Sequence, residues 1–390
     1  MIKELKAGFE KVFGGGEGAR TYFAPGRVNL IGEHTDYNGG HVFPCALTIG
    51  TYAVARKRED KLVRLYSENF KELGIIEFDV EELKNVKEHD WANYPKGVIW
   101  AFKQEGFNID GGFEALFFGN IPNGAGLSSS ASIELATAVI LKDIFNVEAD
   151  MIKMVQLGKL AENKFIGVNC GIMDQFAIGM GKEGHAVLLD TNTLKFTYAK
   201  IELKNAAIII ANTNKRRGLA DSKYNERRAQ CEEALKDLQG EINISALGEL
   251  NEEAFEKYSH LIKDRINVRR ARHAVYENQR TIKAVKALEQ NDIETFGQLM
   301  NDSHESLRDD YEVTGIELDT LAELAWQQPG VIGSRMTGAG FGGCTVSIVK
   351  NESIDGFIEN VGRAYEEKIG YKADFYVVNI GDGARKLDLL

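Results

Sequence analysis

The feature that most constrains this chain is a glycine–serine loop, PNGAGLSSSAS, at residues 122–132. A strand-like stretch, GGFEALFFGNIP, precedes the loop, and apolar residues at helical spacing follow it. The backbone must therefore pass from a strand into a helix through glycines, which allow close approach of a ligand. At such a helix start, unpaired N–H groups and the positive end of the helix dipole converge, which suits a phosphate. A serine that merely caps the helix is the structural alternative.

Two common nucleotide-binding motifs do not account for the glycines. A P-loop requires a lysine after its second glycine, whereas Ala125 follows Gly124 here. The stretch GAGFGG at residues 338–343 has the spacing of a dinucleotide-binding motif, which should open a helix. It runs instead into CTVSIV, a strand by composition. A tight packing loop and a direct ligand contact both remain open for residues 338–343.

The order of elements predicts an α+β fold, because strands and helices are mixed without a regular βαβ rhythm. At 390 residues the chain exceeds one ordinary core, so we expect two domains, residues 1–200 and 201–390. Helical periodicity predicts long helices over residues 150–166, 221–238, 278–290 and 293–303.

Composition excludes several classes of protein. The net charge of −11 argues against a general nucleic-acid or anionic-membrane surface. The four cysteines are widely spaced and contain no C-x-x-C pair, which favours free thiols in a reducing compartment. The N-terminal helix lacks the apolar core of a signal peptide, and no apolar run reaches membrane-spanning length. We therefore expect a cytoplasmic protein.

Three further places carry candidate chemistry. PGRVNLIGEHTDYNGG, residues 25–40, sets Arg27 in an apolar run and then gathers consecutive polar side chains. Asp174 lies in CGIMDQF, where burial would require a partner or a function, and a turn-capping role is equally open. Glu162 is a candidate Mg2+ ligand beside a phosphate site, although its helical spacing also fits a solvated surface residue.

Taken together, these stretches resemble the GHMP small-molecule kinases and, within them, the galactokinases. PGRVNLIGEHTDYNGG is similar to the galactokinase signature, GAGLSSSAS to the GHMP phosphate motif, and MTGAGFGGC to the third GHMP motif. WANYPKGV, CGIMDQF and NERRAQCE also have close counterparts. The resemblance runs in order from about residue 20 to 341. It implies an N-terminal domain like ribosomal protein S5 domain 2, a ferredoxin-like C-terminal domain and an active site between them.

The resemblance also implies ATP-dependent phosphorylation of the anomeric hydroxyl of α-D-galactose, with Mg2+. Asp174 would act as the base near O1, with Arg27 beside it to stabilise the transition state. Ser130 and Glu162 would hold Mg2+. The implied sugar contacts are Glu33, His34, Thr35, Asp36, Asp174 and Tyr224. The implied nucleotide contacts are Ser67, Gly124, Ala125, Gly126, Leu127, Ser128, Ser129 and Ser130, of which Ser67 is the weakest match.

Two alternatives to a galactokinase stay open on the sequence. An N-acetylgalactosamine kinase shares the signature, and discrimination depends on the space around C2. A non-catalytic galactose and ATP sensor on the same fold tends to lack part of the serine–alanine segment, which is intact here at Ser130 and Ala131. Galactose and ATP are the expected partners, without nucleic acid or membrane. A monomer is expected, with an oligomer left open.

Overall fold

A computed structural model describes residues 1–122, 125–215 and 220–387. The strands are β1 (Arg20–Asn29), β2 (His41–Val42), β3 (Pro44–Lys57), β4 (Leu62–Ser67), β5 (Ile76–Asp79), β6 (Phe113–Gly119), β7 (His185–Asp190), β8 (Phe196–Lys200), β9 (Ala206–Asn212), β10 (Val331–Thr337), β11 (Cys344–Lys350), β12 (Asp374–Val378) and β13 (Arg385–Leu387). The α-helices are α1 (Ile2–Phe13), α2 (Asn93–Gln104), α3 (Ser129–Ile144), α4 (Met151–Leu160), α5 (Met173–Gly179), α6 (Ala220–Gln239), α7 (Glu252–Tyr258), α8 (Arg265–Glu289), α9 (Ile293–Ser306), α10 (Gly315–Trp326) and α11 (Ile354–Ile369). Single π-helical turns continue α4 at Ala161–Ile166 and α9 at Leu307–Tyr311.

The first half is built on a six-stranded sheet of order β13-β1-β3-β6-β4-β5. Its pairs are antiparallel except β4 with β6, which run parallel. Helices α2 to α5 supply apolar side chains to the main core of this half, whereas α1 packs separately through Phe9 and Phe13 against Val54 and Leu116. This sheet carries Arg27 at one end of β1 and delivers β6 into the glycine–serine loop.

The second half contains a four-stranded antiparallel sheet of order β10-β11-β9-β12. Helices lie between β9 and β10 and between β11 and β12. This element order, together with the strand order, is that of a ferredoxin-like unit. The predicted α+β class and ferredoxin-like second half are therefore confirmed. We call residues 30–40, between β1 and β2, the signature loop. The three-stranded sheet β2-β7-β8 takes its strands from the chain between this loop and β9.

The C-terminal end departs from the predicted division at residue 200. β13 pairs with β1 of the first sheet, through partners such as Thr21 and Leu387. Sequence order could not reveal this return, because three residues at the end of a chain carry too little pattern to indicate a partner strand. The assignment of residues 201–390 to one domain therefore needs amendment at β13 and otherwise stays a prediction.

The predicted helices are present, and one was predicted too short. α8 begins at Arg265, well before the predicted start at residue 278. Its first half buries polar side chains, including Asn267, Arg270 and His273, where a core-facing helix normally shows apolar residues. The first half of α8 therefore lacks a clear helical spacing of apolar residues, and the prediction missed it. No helix among the described residues is long and apolar enough to cross a membrane.

Close contact between two glycines lets α9 lie directly on β10. A Cβ placed on Gly297 would overlap the carbonyl oxygen of Ile332, and one on Gly333 would lie 2.5 Å from the Gly297 carbonyl oxygen. Backbone therefore meets backbone at this point, which brings α9 directly against the strand that precedes the 338–343 loop.

We expect Gly297→Ala to lower the free energy of unfolding by about 1–3 kcal/mol, because the added methyl must push α9 away from β10. Chemical denaturation measures the change. Gly356→Ala on α11 is the matched control, since a Cβ there meets nothing within 4 Å. That control should leave stability unchanged or raise it by up to about 1 kcal/mol. Equal stabilities of the two variants would contradict the packing argument.

Candidate active site

Arg27 lies on β1 where the strand passes the glycine–serine loop. The register of β1 against β3 shifts between Pro25 and Arg27. The backbone N–H of Arg27 donates to the Leu127 carbonyl at 3.2 Å, and its Nη1 donates to the Gly126 carbonyl at 2.8 Å. Only 4% of Arg27 is exposed, so its charge requires a buried partner.

Asp174, in the first turn of α5, is that partner. Arg27 Nε and Nη2 donate to Oδ1 and Oδ2 of Asp174, each at 2.8 Å, in a bidentate pair. Burial opposes the charge on Arg27, but the Asp174 carboxylate outweighs it and raises the pKa of the guanidinium. The hydroxyl of Ser128 also donates to Oδ2. The carboxylate is thus fixed in orientation, with its side chain still 30% exposed.

The glycine–serine loop enters α3 without a side-chain cap. Ser128 occupies the N-cap position with φ of 60°, yet its hydroxyl bonds Asp174 rather than a helix N–H. Ser129 and Ser130 are the first residues of α3 and are exposed and half-buried, respectively. This arrangement differs from the simple serine cap and favours an anion. The described loop also contains Ala125, Gly126 and Leu127, whereas Gly124 lies outside the described residues.

Glu33 is held by the end of β10 and the first residue of the loop that follows it. Its Oε1 accepts hydrogen bonds from the Thr337 hydroxyl (3.0 Å), the Gly338 N–H (2.8 Å) and Arg335 Nη1 (3.4 Å). Only 1% of Glu33 is exposed. Among the described residues, every donor to this carboxylate uses Oε1, so Oε2 is the oxygen available to a ligand. Gly338, the first residue of the GAGFGG stretch, thus helps to fix the signature residue.

His34 is a buried, neutral imidazole in a left-handed backbone conformation, with φ of 60°. Burial, helped by the nearby His273, lowers its pKa to about 3. Its Nδ1 lies 2.7 Å from the Tyr37 hydroxyl, which lies 2.7 Å from that of Tyr311, and its Nε2 lies 3.2 Å from the Ala339 carbonyl oxygen. Both ring nitrogens have protein partners, so a ligand hydroxyl would share the Ala339 contact.

Asp36 presents an almost unpaired carboxylate. Its one hydrogen bond among the described residues is accepted by Oδ2 from the Met173 N–H, at 3.4 Å. Burial and the neighbouring Asp174 raise the pKa of Asp36 to about 6. A Cβ on Gly171 would overlap this carboxylate, which is why the chain has glycine there. Asp36 therefore offers acceptor oxygens that the protein itself leaves mostly unused.

Two other predicted sugar contacts differ in their placement. The Thr35 hydroxyl lies at 2.9 Å from the Gly32 carbonyl oxygen and 2.7 Å from that of His41, and Thr35 is fully buried. Its side chain therefore closes the loop on itself. Tyr224, on α6, lies with its ring 5.7 Å from that of His34 and reaches the site from the second half of the chain.

A cavity of about 460 Å³ gathers these side chains. Eight predicted residues line it: Arg27, Glu33, His34, Asp36, Ser130, Glu162, Asp174 and Tyr224. The remaining lining residues are Tyr37, Tyr94, Val168, Cys170, Gly171, Met173, Gly338 and Ala339. A larger cavity of about 550 Å³, beside β8 and the turn between α8 and α9, contains none of the predicted residues.

The 460 Å³ cavity, which we call the first cavity, is adjoined by a second cavity of about 250 Å³. The two share Ser130 and Tyr94 in their linings. Trp91 and Phe117 are among its apolar walls, and the predicted residue Ser67 lies in its lining. Such walls suit a flat ring system. Because the cavities meet at the start of α3, a ligand in the second cavity can direct a phosphate chain over the helix N-terminus toward the first.

Acidic side chains outnumber basic side chains where the two cavities meet. Glu162, on the π-helical turn after α4, accepts a hydrogen bond from Gln175 Nε2 at 2.7 Å. The same amide donates to the buried Glu134 at 3.0 Å. Burial and the charge of Asp174 raise the pKa of Glu162 to about 7, and burial together with Glu162 raises that of Glu134 well above its usual range. The site is therefore short of positive charge.

A divalent cation fits this donor set. Ser130 and Glu162 both line the cavity, so a hydroxyl and a carboxylate face the same space. Within residues 1–122, 125–215 and 220–387, no cluster of three His, Cys, Asp or Glu side chains could hold a metal by itself. Mg2+ needs none, because it usually takes one or two carboxylates and completes its shell with phosphate and water.

Sequence reasoning missed the residues that hold the site residues in place. Arg335 adjoins the third motif and Tyr37 lies within the signature, so both could have been found there. Gln175 lies within CGIMDQF and could likewise have been found, whereas Glu277 gave little signal, because a polar residue on a helix is usually solvated and only its tertiary partners reveal its burial.

Comparison with known proteins identifies the family of the chain. The galactokinase galactose-binding signature matches residues 7–57, the GHMP kinase N-terminal domain residues 93–182 and the GHMP kinase C-terminal domain residues 284–367. The galactokinase of Clostridium beijerinckii is 65% identical over 99% of both chains, and that of Bacillus subtilis is 59% identical over 99% of both.

Solved structures give the same relation. Lactococcus lactis galactokinase, crystallised in complex with galactose, superposes with a TM-score of 0.97 at 53% identity, covering 99% of this chain and 100% of that one. Methanococcus jannaschii mevalonate kinase has a TM-score of 0.64 at 20% identity over 93% and 98% of the chains, which shows a shared fold. Because sequence, fold and ordered motifs agree over nearly the full length, the chain belongs to the galactokinases of the GHMP kinase family.

Proposed function

We propose that this chain transfers the γ-phosphoryl group of ATP to the anomeric O1 of galactose. The observation that carries the proposal is the Arg27–Asp174 pair in the wall of the 460 Å³ cavity, bonded to Ser128 just before α3. A sugar hydroxyl beside Asp174 would then lie close to a phosphate over the start of α3. Membership of the galactokinases supports galactose as the sugar and ATP as the donor.

Sugar recognition falls to groups that the protein leaves unsatisfied. Glu33 Oε2 and the Asp36 carboxylate accept hydrogen bonds from sugar hydroxyls, and His34 and Tyr224 form the facing wall. Each buried acceptor left without a hydroxyl costs about 1–3 kcal/mol, so a sugar of different stereochemistry binds less well. Thr35 supports the loop and is left out of this set, because its hydroxyl is used by backbone carbonyls.

In the chemical step, Asp174 accepts the proton of the O1 hydroxyl as O1 attacks the γ-phosphorus. The bond from O1 to phosphorus forms while the bond from phosphorus to the β,γ-bridging oxygen breaks, and ADP leaves. Arg27 stabilises the negative charge that develops on the transferred group. Gly126 and Ser128 to Ser130 position the phosphates against the α3 N-terminus, and the second cavity with Ser67 receives the base.

Mg2+ completes the proposed site. Ser130 and Glu162 are the residues that would hold it, and the ion supplies charge neutralisation between the nucleotide phosphates. This assignment is supported by the excess of carboxylates and by the presence of Ser130 and Glu162 in the lining of one cavity.

Neither alternative from the sequence is favoured. The full-length relatives named above are galactokinases, and the Arg27–Asp174 pair and Ser130 that a sensor could lose are intact. Cytoplasmic location and a monomeric state stay predictions.

We expect Asp174→Asn to lower kcat for galactose about 10²–10⁴-fold, because the amide cannot accept the O1 proton. Galactose affinity, measured by calorimetry, should stay within about threefold, since the Glu33 and Asp36 acceptors remain. Asp110→Asn is the control, as the Asp110 side chain is 62% exposed. A near-normal kcat would remove Asp174 from the base role. Failure of the unaltered chain to form galactose 1-phosphate, or a higher kcat/KM for N-acetylgalactosamine, would overturn the assignment itself.

We expect Asp36→Asn to raise the stability of the protein and to weaken its binding of galactose. The pKa of Asp36 rises from 3.8 to about 6 on folding, so its ionisation costs stability that grows as pH rises from about 4 to 6. At pH 8 the variant should be more stable by about 1–3 kcal/mol, and at pH 4 most of that gain should vanish. Galactose should bind at least about tenfold more weakly at pH 8. Denaturation and calorimetry at both pH values measure this, and a gain equal at both would contradict it.

Glu162→Gln should raise the Mg2+ concentration needed for half-maximal activity at least about tenfold, because a neutral amide is a poorer ligand than a carboxylate. Direct binding of Mn2+ in the presence of a non-hydrolysable ATP analogue, followed by electron paramagnetic resonance, should weaken in parallel. Galactose affinity should not change. Glu148→Gln, an exposed exchange of the same kind, is the control. Unchanged Mn2+ binding would exclude Glu162 as a ligand.

A further inference from the structure

A buried carboxylate on α8, Glu277, holds the backbone of the signature loop. Its Oε1 accepts hydrogen bonds from the N–H groups of Gly32 (2.9 Å) and Glu33 (3.3 Å). Glu277 is fully buried and lies 244 positions from Glu33 in the chain. Two consecutive N–H groups on one anionic oxygen form stronger bonds than neutral acceptors would make.

The same carboxylate is connected to the side chain of Glu33. The Ser303 hydroxyl donates to Glu277 Oε1 at 2.6 Å and accepts from Arg335 Nε at 3.1 Å. Arg335 Nη1 in turn donates to Glu33 Oε1 at 3.4 Å. Glu277, Ser303 and Arg335 therefore hold both the backbone and the carboxylate of Glu33.

The charges at this place are matched. Arg280 Nε donates to Glu277 Oε2 at 2.8 Å, so two arginines face two glutamates. Burial opposes ionisation of Glu277, but Arg280, His273 and Arg335 outweigh it and lower its pKa to about 2. The carboxylate is thus charged at any working pH and keeps both N–H groups of the loop engaged.

The loop needs external support of this kind. His34, next to Glu33, has a left-handed backbone that a non-glycine residue adopts only at a cost. Gly32 is equally constrained, because at φ of 97° a Cβ there would lie 2.7 Å from the His41 carbonyl oxygen. A strained turn persists only where its surroundings determine it, and here α8, α9 and β10 supply those surroundings.

We propose that Glu277 is a positioning residue for sugar binding, which fixes Gly32 and Glu33 so that Oε2 of Glu33 meets a galactose hydroxyl. The proposal rests on the sugar contact assigned to Glu33 under the proposed function. It predicts that disturbing Glu277 weakens galactose binding and leaves nucleotide binding largely intact, because its contacts lie in the signature loop and not in the cavity that contains Ser67.

The test compares Glu277→Gln with Glu289→Gln, the same exchange at an exposed position on α8. Glu277→Gln should raise the dissociation constant and the KM for galactose at least about tenfold, while the KM for ATP stays within about twofold. Ser303→Ala, which removes a single hydroxyl from the chain of contacts, should weaken galactose about three- to tenfold and provides the answer if Glu277→Gln does not fold. Glu289→Gln should behave as the unaltered chain.

A double-mutant cycle separates positioning from general destabilisation. If Glu277 acts through Glu33, the galactose affinity of Glu33→Gln combined with Glu277→Gln should be close to that of the weaker single variant, not the product of both losses. Multiplicative losses, normal galactose affinity in both Glu277→Gln and Ser303→Ala, or equal losses for galactose and ATP would overturn the positioning role. Unchanged galactose affinity in Glu33→Gln would instead overturn the Glu33 contact proposed above, and with it the inference that depends on it.

Discussion

The bidentate pair between Arg27 and Asp174 is the interaction on which the site depends. It joins β1 to α5 across 147 positions of sequence, and Arg27 also holds the glycine–serine loop through the Gly126 carbonyl. An arginine with 4% exposure would leave an uncompensated buried charge without Asp174, at a cost of about 3–5 kcal/mol. The same contact that makes the buried guanidinium tolerable therefore fixes the Asp174 carboxylate beside the glycine–serine loop.

The cavity around this pair contains more acidic than basic side chains, which favours a ligand that brings a cation. Asp36, Glu134 and Glu162 all have raised pKa values, because burial and neighbouring carboxylates disfavour their charges. The free protein thus keeps carboxyl groups whose ionisation is unfavourable at the places where we propose that sugar hydroxyls and a divalent ion bind. Stability is given up for binding, as is usual where function requires unsatisfied polar groups.

Much of the fold and site could be predicted locally. The change from strand to helix at the glycine–serine loop, the α+β class and the ordered motifs are all visible in short windows of sequence. Predictions failed where the signal depended on distant partners. The start of α8 was missed because its core face is polar, and β13 was missed because three residues carry no pattern that indicates β1 as their neighbour. Thr35 was grouped with the sugar contacts by position, although its hydroxyl serves the loop itself.

The sequence by itself determined the chemistry available and the family: a fixed cation at Arg27, carboxylates at Glu33, Asp36 and Asp174, and a glycine-bearing helix start. Tertiary structure alone decided how those groups are used. It assigned one oxygen of Glu33 to the protein and left the other free, engaged both ring nitrogens of His34, and placed Glu277 under the loop. The physical reason is that hydrogen bonds and burial belong to pairs of groups, and most of these partners are some 240 to 310 residues away in the chain.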